Sequence, residues 1–200
     1  MLLIVLSALG AAGAAWPILG IGEISGIELL VISLCVGYLT RTAVQVAAWP
    51  SRPIGWWEAV GVGVWVSLLF CVLALAAGHG NPSRVGIWMG AILYAVGFVL
   101  HPVAEAQRHR WRSHPAHQGR LFTGGAFRYC RHPNYLADIL LFTGLAVVTD
   151  TWWAGSVPVV MTALFVVTHI PRLERHLHRK YGAVFEDYAR GTARLLPYVY

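Results

Sequence analysis

The residues most able to do chemistry lie in one short stretch, Arg128–Asp138, where charged and amide side chains lead into an apolar run. Asn134 and Asp138 are four residues apart, so a helix would carry both on one face. Pro133 is well suited to begin that helix, because the first turn needs no backbone N–H donor there. A helix N-terminus preceded by arginines attracts phosphate and other anions. The stretch therefore predicts an anion-binding site.

Asp138 carries the strongest single signal in this stretch. It precedes the apolar residues 139–142, and a carboxylate facing lipid is costly, so such groups usually face a bundle interior and mark a function. A simpler interpretation is that Asp138 pairs with an arginine and only holds the loop in place. Depth and crowding favour a site.

Two further segments carry ionisable groups, Glu105–Arg112 and Arg172–Tyr188. Glu105 is close enough in sequence to pair with Arg108, although an ordinary solvated helix end fits these residues equally well. His176 and His178 are two apart, which does not place both on one helix face as a metal site would require. We predict no metal site.

The elements that must position these residues are hydrophobic segments. The 200 residues are 57% hydrophobic and 12% charged, against about 25% charged in soluble domains. A membrane span needs about 20 apolar residues. We predict an all-α polytopic membrane helix bundle with about six segments, the fifth of them short enough to dip into the bilayer instead of crossing it: Leu2–Ile21, Ile27–Ala48, Trp56–Ala77, Val85–Ala104, Tyr135–Val148 and Trp153–Ile170.

These segments divide the chain into two functional halves within one predicted structural domain. Residues 1–104 supply four transmembrane helices, the first read as a span and not as a cleaved signal. Residues 105–200 form the catalytic and cofactor-binding half, with a helical hairpin and a basic tail. A Gly86-x-x-x-Gly90 pattern permits close helix packing, inside the bundle or at a dimer face, and the oligomeric state stays open.

The positive charges predict an orientation in the membrane. The net charge is +6, and six of the 15 Lys and Arg residues lie between Arg108 and Arg131 and six between Arg172 and Arg194. Basic loops beside spans are typically cytoplasmic. We therefore expect both termini and the site on the cytoplasmic side of the inner or plasma membrane of a prokaryote, and no nucleic-acid partner.

The remaining motif classes are weak. Three cysteines with no paired spacing give no disulfide framework, and Cys130 is a poor candidate for a catalytic thiol. The chain also lacks the glycine-rich phosphate loops and the Gly-x-Ser-x-Gly motif of soluble enzymes.

The stretch 124–138 has the sequence Gly-Gly-Ala-Phe-Arg-Tyr-Cys-Arg-His-Pro-Asn-Tyr-Leu-Ala-Asp. It resembles the C-terminal signature of the steroid 5-alpha-reductase and sterol-reductase superfamily. The tail agrees, with Tyr181, the run 185–188 (Phe-Glu-Asp-Tyr) and the final 196–200 (Leu-Pro-Tyr-Val-Tyr). The likeness covers residues 105–200, and residues 1–104 match only as a set of spans.

The resemblance implies a membrane reductase that transfers a hydride from NADPH to a carbon–carbon double bond of a steroid-, sterol- or isoprenoid-like lipid. It assigns catalytic roles to Asn134, Tyr135 and Asp138. Asn134 and Asp138 would hold the nicotinamide end of the cofactor. The other cofactor-binding residues it implies are Glu105, Arg112, Arg128, Arg131, His132, Glu174 and Tyr181. The resemblance does not identify the residue that would polarise a substrate carbonyl. The candidates, chosen only by their position inside predicted spans, are Glu28, Tyr38, Glu58 and Tyr94.

A rival activity shares much of this pattern. Isoprenylcysteine carboxyl and phospholipid methyltransferases, which use S-adenosylmethionine, show a similar Arg-His-Pro motif and a late glutamate, here Arg131 and Glu174. Asn134, Asp138 and the Pro-Tyr-Val-Tyr ending favour the reductase. A third class is a non-catalytic membrane scaffold, which predicts that neither cofactor binds.

Overall fold

The computed structural model describes residues 24–48 and 55–197, apart from the side chain of Glu58. The predicted first span, Leu2–Ile21, and the last three residues, 198–200, lie outside this part of the chain.

The described residues are helical almost throughout. Seven α-helices run in the order α1 Gly26–Ala48, α2 Trp56–His79, α3 Arg84–Arg112, α4 Pro133–Thr149, α5 Ser156–Leu164, α6 Ile170–Tyr181 and α7 Ala183–Gly191. A π-helical turn, Phe165–His169, joins α5 to α6. Short 3-10 turns occupy Pro115–His117, Gly125–Arg128 and Trp152–Gly155. Residues 24–48 and 55–197 contain no β-strand, which confirms the all-α prediction.

Four helical segments are long and apolar enough to cross a membrane. They are Gly26–Ala48, Ala59–His79, Arg84–Arg112 and the continuous run Trp152–Tyr181, whereas α4 has 17 residues and is shorter. Large apolar side chains on these helices are exposed, as expected where a helix contacts lipid: Val62 is 56% and Val99 56% exposed. The chain is an integral membrane protein with four such spans among its described residues. They correspond to the second, third, fourth and sixth predicted segments, the fifth is the shorter helix α4, and the first lies outside the described residues.

Helix α1 begins with a reciprocal cap. The Glu28 backbone N–H donates to Ser25 Oγ at 3.2 Å, and the Ser25 N–H donates to Glu28 Oε2 at 2.6 Å. This capping box satisfies two backbone donors that a helix start otherwise leaves without partners. Glu28, a candidate for carbonyl polarisation, thus has a structural use at the helix start.

Helix α3 continues to Arg112, past the predicted end of its apolar segment at Ala104. The added residues are good helix formers, and Arg108 Nη2 donates to both Glu105 oxygens at 2.8 and 2.6 Å. The predicted local pair is therefore present. The basic segment therefore continues the same helix beyond its apolar part.

The chain divides into two compact units. The first contains residues up to Ile92 together with Thr143–Val157, and the second contains Leu93–Phe142 together with Pro158–Tyr200. In the first unit α1 packs against α2, with Val31, Leu73 and Leu145 almost fully buried. In the second unit the core includes Ala104, Ala137, Leu141, Phe142 and Ile170.

Glycines permit close helix approach in both units. In the second unit, a methyl group on Gly97 of α3 would lie 2.7 Å from Leu141 N and 2.9 Å from Leu141 Cβ of α4. In the first unit, a methyl group on Gly90 would overlap the Gly144 carbonyl and Val148. Gly90 of the predicted glycine motif therefore packs inside the protein, whereas Gly86 would meet only Ser83 Oγ, at 3.4 Å.

Candidate functional site

The second unit contains a cavity of about 290 Å³. Its wall is built from the last turns of α3, the loop before α4, the first turn of α4, and the two C-terminal helices α6 and α7. The lining residues are Arg108, Arg112, Arg120, Leu121, Phe122, Phe127, Arg131, His132, Asn134, Tyr135, Leu173, Leu177, Tyr181 and Tyr188.

Four arginines give the cavity a positive field. Arg108 and Arg112 are one helical turn apart on α3, so both reach the same wall. Arg120 and Arg131 approach from the loop that follows. The lining contains no acidic side chain among the residues described here, so the wall suits a polyanion such as a phosphate group.

Asn134 lies in the cavity wall, and the NH₂ group of its side-chain amide is held by a hydrogen bond. Its Nδ2 donates to Glu105 Oε1, and a carboxylate can only accept, so this contact fixes the amide with its NH₂ toward Glu105. The oxygen Oδ1 is buried and has no hydrogen-bond partner in the protein. A buried acceptor without a partner costs about 1–3 kcal/mol, so Oδ1 is a candidate contact for a ligand donor.

A second polar pair lies one turn further along both helices. His101 Nδ1 is 3.1 Å from Asp138 Oδ1, with side chains 21% and 16% exposed. His101 and Glu105 are four residues apart on α3, and Asn134 and Asp138 are four apart on α4. The two antiparallel helices are therefore joined by two successive polar contacts. Asp138 therefore contacts a histidine of α3, a partner that the sequence did not predict.

Glu174 of α6 contacts two arginines and one histidine. Its Oε1 lies 3.3 Å from Arg131 Nε and 3.3 Å from His132 Nε2, and its Oε2 lies 3.2 Å from Arg194 Nε. The Glu174 side chain is 13% exposed, so these interactions are only partly screened by solvent. Two of the three partners line the cavity.

The C-terminal segment is docked on the loop before α4. The Arg131 N–H donates to the Ala193 carbonyl at 2.8 Å, and the His132 N–H donates to the Arg194 carbonyl at 3.1 Å. Tyr188 Oη donates to the Phe127 carbonyl at 2.5 Å. Burial raises the pKa of the Tyr188 phenol, so this hydroxyl stays a donor at physiological pH. The segment after α7 thus supplies hydrogen-bond partners to two residues of the cavity wall, Arg131 and His132.

Aromatic stacking fixes Tyr135. Its ring stacks on His132 at 5.6 Å between centroids and on Phe165 at 4.5 Å. Phe165 begins the π-helical turn, a kind of helix distortion found often at functional sites. Tyr135 is therefore held between two rings in the cavity wall.

Six of the residues singled out from sequence line this one cavity: Arg112, Arg131, His132, Asn134, Tyr135 and Tyr181. Two more, Glu105 and Glu174, bind wall residues from outside it. Asp138 is not in the lining and contacts His101 instead. Arg128 lies beside a separate open cleft with Tyr129, Gly191 and Ala193.

Sequence reasoning missed several wall residues. Aromatic and aliphatic lining residues such as Phe122 and Leu177 carry no signal in sequence, because apolar residues are common throughout this chain. Arg120 has only its positive charge as a signal in sequence, and that charge predicts the orientation in the membrane and not a site. His101 had a usable signal, because it is an ionisable residue inside an apolar segment, which marks a candidate site.

The remaining candidates have other surroundings. Cys130 is 2% exposed, and burial raises the pKa of its thiol to about 11, so it is a poor nucleophile at neutral pH. Tyr38 packs edge-on against Phe70, and Tyr94 stacks on Phe98. The described residues contain no group of three or more His, Cys, Asp or Glu side chains arranged to hold a metal ion.

The chain is similar in sequence to several known proteins. The chain is 28% identical to 3-oxo-5-alpha-steroid 4-dehydrogenase 2 of Macaca fascicularis over 83% of its own length and 66% of that protein. It is 29% identical to the nickel-cobalt-cadmium resistance protein NccN of Alcaligenes xylosoxydans xylosoxydans over 68% of the chain and 64% of the relative. Over a shorter stretch, the chain is 42% identical to the probable O-methyltransferase ustE of Ustilaginoidea virens. This match covers 28% of the chain and 20% of the relative.

The chain thus spans at most about two thirds of the length of these relatives. The predicted likeness to the steroid-reductase superfamily is confirmed by the first of them. Residues 40–192, which include the cavity wall from Arg108 to Tyr188, match the family described as "Protein of unknown function (DUF1295)". The chain belongs to the DUF1295 family, whose members resemble steroid 5-alpha-reductases.

Proposed function

We propose that this protein is a membrane-embedded reductase that uses NADPH to reduce a carbon–carbon double bond of a steroid-, sterol- or isoprenoid-like lipid. The steroid dehydrogenase relative supports an oxidoreductase acting on a lipid. The cofactor and the bond that is reduced are part of the proposal.

The observation that carries the proposal is that four arginines and the Asn134 amide occur together in one cavity wall. Four arginines line the same cavity as Asn134, whose amide oxygen Oδ1 is buried without a hydrogen-bond partner in the protein. A nicotinamide dinucleotide phosphate offers the complement of both, with several phosphates at one end and a carboxamide NH₂ donor at the other. Arginine is the side chain best suited to bind phosphate in two-point contacts.

The residues present therefore fit this cofactor. Arg112, Arg131 and Tyr181 would hold its phosphates or ribose, joined by Arg108 and Arg120. Asn134 Oδ1 would accept a hydrogen bond from the nicotinamide carboxamide. Glu105 would fix the orientation of that amide through its contact with Nδ2. His132 would border the site, with Glu174 holding it from outside.

Bound NADPH would supply a hydride to a polarised carbon–carbon double bond. The reduced substrate then needs one proton at the neighbouring carbon. Tyr135 is a hydroxyl donor in the wall, held by stacking on His132 and Phe165, and we assign it this role. Asp138 would act through His101, one turn from Asn134. The apolar lining, including Leu121 and Phe122, suits a hydrocarbon substrate.

The direct test is turnover by purified protein in lipid nanodiscs. We expect loss of NADPH absorbance when a steroid or polyprenyl enone is added, and a product heavier by two hydrogens in mass spectrometry. Arg120→Ala should raise the KM for NADPH. A panel of such enones that gives no NADPH consumption, although the protein binds NADPH, would exclude this substrate class.

A methyltransferase is the second candidate. The match to the probable O-methyltransferase covers 57 residues at 42% identity, and Arg131, His132 and Glu174 form one cluster here. This activity predicts binding of S-adenosylhomocysteine in the same cavity and transfer of a labelled methyl group to a lipid-like acceptor. A non-catalytic scaffold predicts that neither cofactor binds.

A further inference from the structure

We propose that Glu174 is a positioning residue that couples docking of the C-terminal segment, Thr192–Leu195, to the shape of the cavity wall. The proposal concerns how the wall is held. Its link to NADPH rests on the proposed function.

The first observation is that one carboxylate serves both structures. Glu174 Oε1 lies 3.3 Å from Arg131 Nε and 3.3 Å from His132 Nε2, both in the cavity wall. Glu174 Oε2 lies 3.2 Å from Arg194 Nε, in the C-terminal segment. A change in either set of contacts therefore alters the electrostatic environment of the other.

The second observation is that the backbones of the same residues are also joined. Cys130 forms a parallel bridge with Ala193, the Arg131 N–H donates to the Ala193 carbonyl, and the His132 N–H donates to the Arg194 carbonyl. The loop before α4 gains partners for its backbone donors only while the segment is docked. Buried donors that lose their partners are costly.

The third observation extends the connection into the wall. His132 is 4% exposed and stacks on Tyr135, and Tyr135 stacks on Phe165. Removing the Glu174 carboxylate would leave Arg131 and His132, with side chains only 9% and 3% exposed, beside each other without that counter-charge. The wall and the segment should therefore order together.

The burial of Cys130 gives a native probe of this coupling. Cys130 is 2% exposed and sits beside Ala193, so its thiol should react with a maleimide only when the segment leaves. The rate is measured by peptide mass spectrometry on the full-length protein in nanodiscs, which separates Cys130 from Cys35 and Cys71. No cofactor is required for this measurement.

We expect Arg194→Ala to raise the Cys130 labelling rate about threefold to fivefold, because the arginine of this ion pair is 44% exposed, and Arg194→Lys to restore most of the protection. Glu174→Gln should raise the rate at least as much, because it also removes the contacts with Arg131 and His132. The double variant should not exceed Glu174→Gln by much, because Glu174→Gln already removes the contact with Arg194. Arg190→Ala is the matched control, since Arg190 is 77% exposed and pairs with Asp187 on the same helix. Unchanged labelling in Arg194→Ala would overturn the proposal.

The cavity is tested separately with NADPH. If wild-type protein binds NADPH, Arg194→Ala should weaken binding about tenfold and Arg194→Lys should restore most of the affinity, whereas Arg190→Ala should leave the Kd unchanged. An unchanged Kd together with faster labelling would overturn the coupling. If wild-type protein binds no NADPH, the proposed function fails, and the labelling result alone decides the role of Glu174.

Discussion

At the scale of single residues, the cavity depends on a few side chains that are each held from a second element. Asn134 is the clearest case, because Glu105 holds its NH₂ and leaves Oδ1 buried without a protein partner. The residue types near the start of α4 could be predicted from sequence. The pairing of Asn134 with a residue 29 positions earlier could not, because it depends on how α3 and α4 pack.

Asn134→Ala should weaken NADPH binding by about tenfold or more, because it removes an acceptor that the cofactor would use in a water-poor site. The measurement is a titration followed by NADPH fluorescence. Asn81→Ala is the control, since Asn81 is an exposed loop residue. Equal affinities for the Asn134 variant and wild type would argue against a nicotinamide contact at this residue.

Cys130→Ser should retain activity. Burial raises the pKa of the Cys130 thiol to about 11, so the thiolate is scarce at every pH up to about 9. Activity of wild-type protein should likewise show no rise near pH 8.5, the usual range of a free thiol. A variant that loses turnover while its thermal midpoint is preserved would reopen a catalytic role for this thiol.

At the scale of helices, the site is set by the close approach of α3 and α4. Gly97 allows the Leu141 region of α4 to come within contact distance, and the two polar pairs then follow at four-residue spacing on both helices. Sequence patterns predicted the start of α4 at Pro133. They did not predict that α3 would continue to Arg112, because hydropathy marks only the apolar part of a helix.

Gly97→Ala should destabilise the protein by about 1–3 kcal/mol, the usual cost of overpacking a tight contact. The added methyl group would lie 2.7 Å from Leu141 N and 2.9 Å from Leu141 Cβ. Gly61→Ala is the matched control, because no atom lies within 4 Å of its added methyl group and alanine favours a helix. The readout is the thermal midpoint in nanodiscs. Similar midpoints for the two variants would contradict the packing described.

At the scale of the whole molecule, the charge distribution predicts the side of the membrane on which the site lies. The two basic clusters, Arg108–Arg131 and Arg172–Arg194, contain 12 of the 15 Lys and Arg residues. The positive-inside rule then favours a cytoplasmic site. Composition alone predicted that the chain is a membrane protein. The signature alone does not predict the activity, because reductases and methyltransferases share it.

Single cysteines introduced at Ser113 and at Asp187, both exposed, should react with an impermeant maleimide only in inverted membrane vesicles. A cysteine at Ser83 should react in right-side-out vesicles, because the loop before α3 is expected on the outer side. The background is a variant without native cysteines. The opposite labelling pattern would reverse the proposed orientation.

The central claim is that the arginine-lined cavity binds NADPH. The most direct measurement is a differential thermal shift of the purified protein with NADPH and, separately, with S-adenosylhomocysteine. At a concentration of about 100 times Kd, a bound ligand stabilises a protein by about 2.7 kcal/mol. The proposal predicts a clear rise in the midpoint with NADPH, reduced in Asn134→Ala, and none with S-adenosylhomocysteine. A rise with S-adenosylhomocysteine alone would contradict it and identify a methyltransferase.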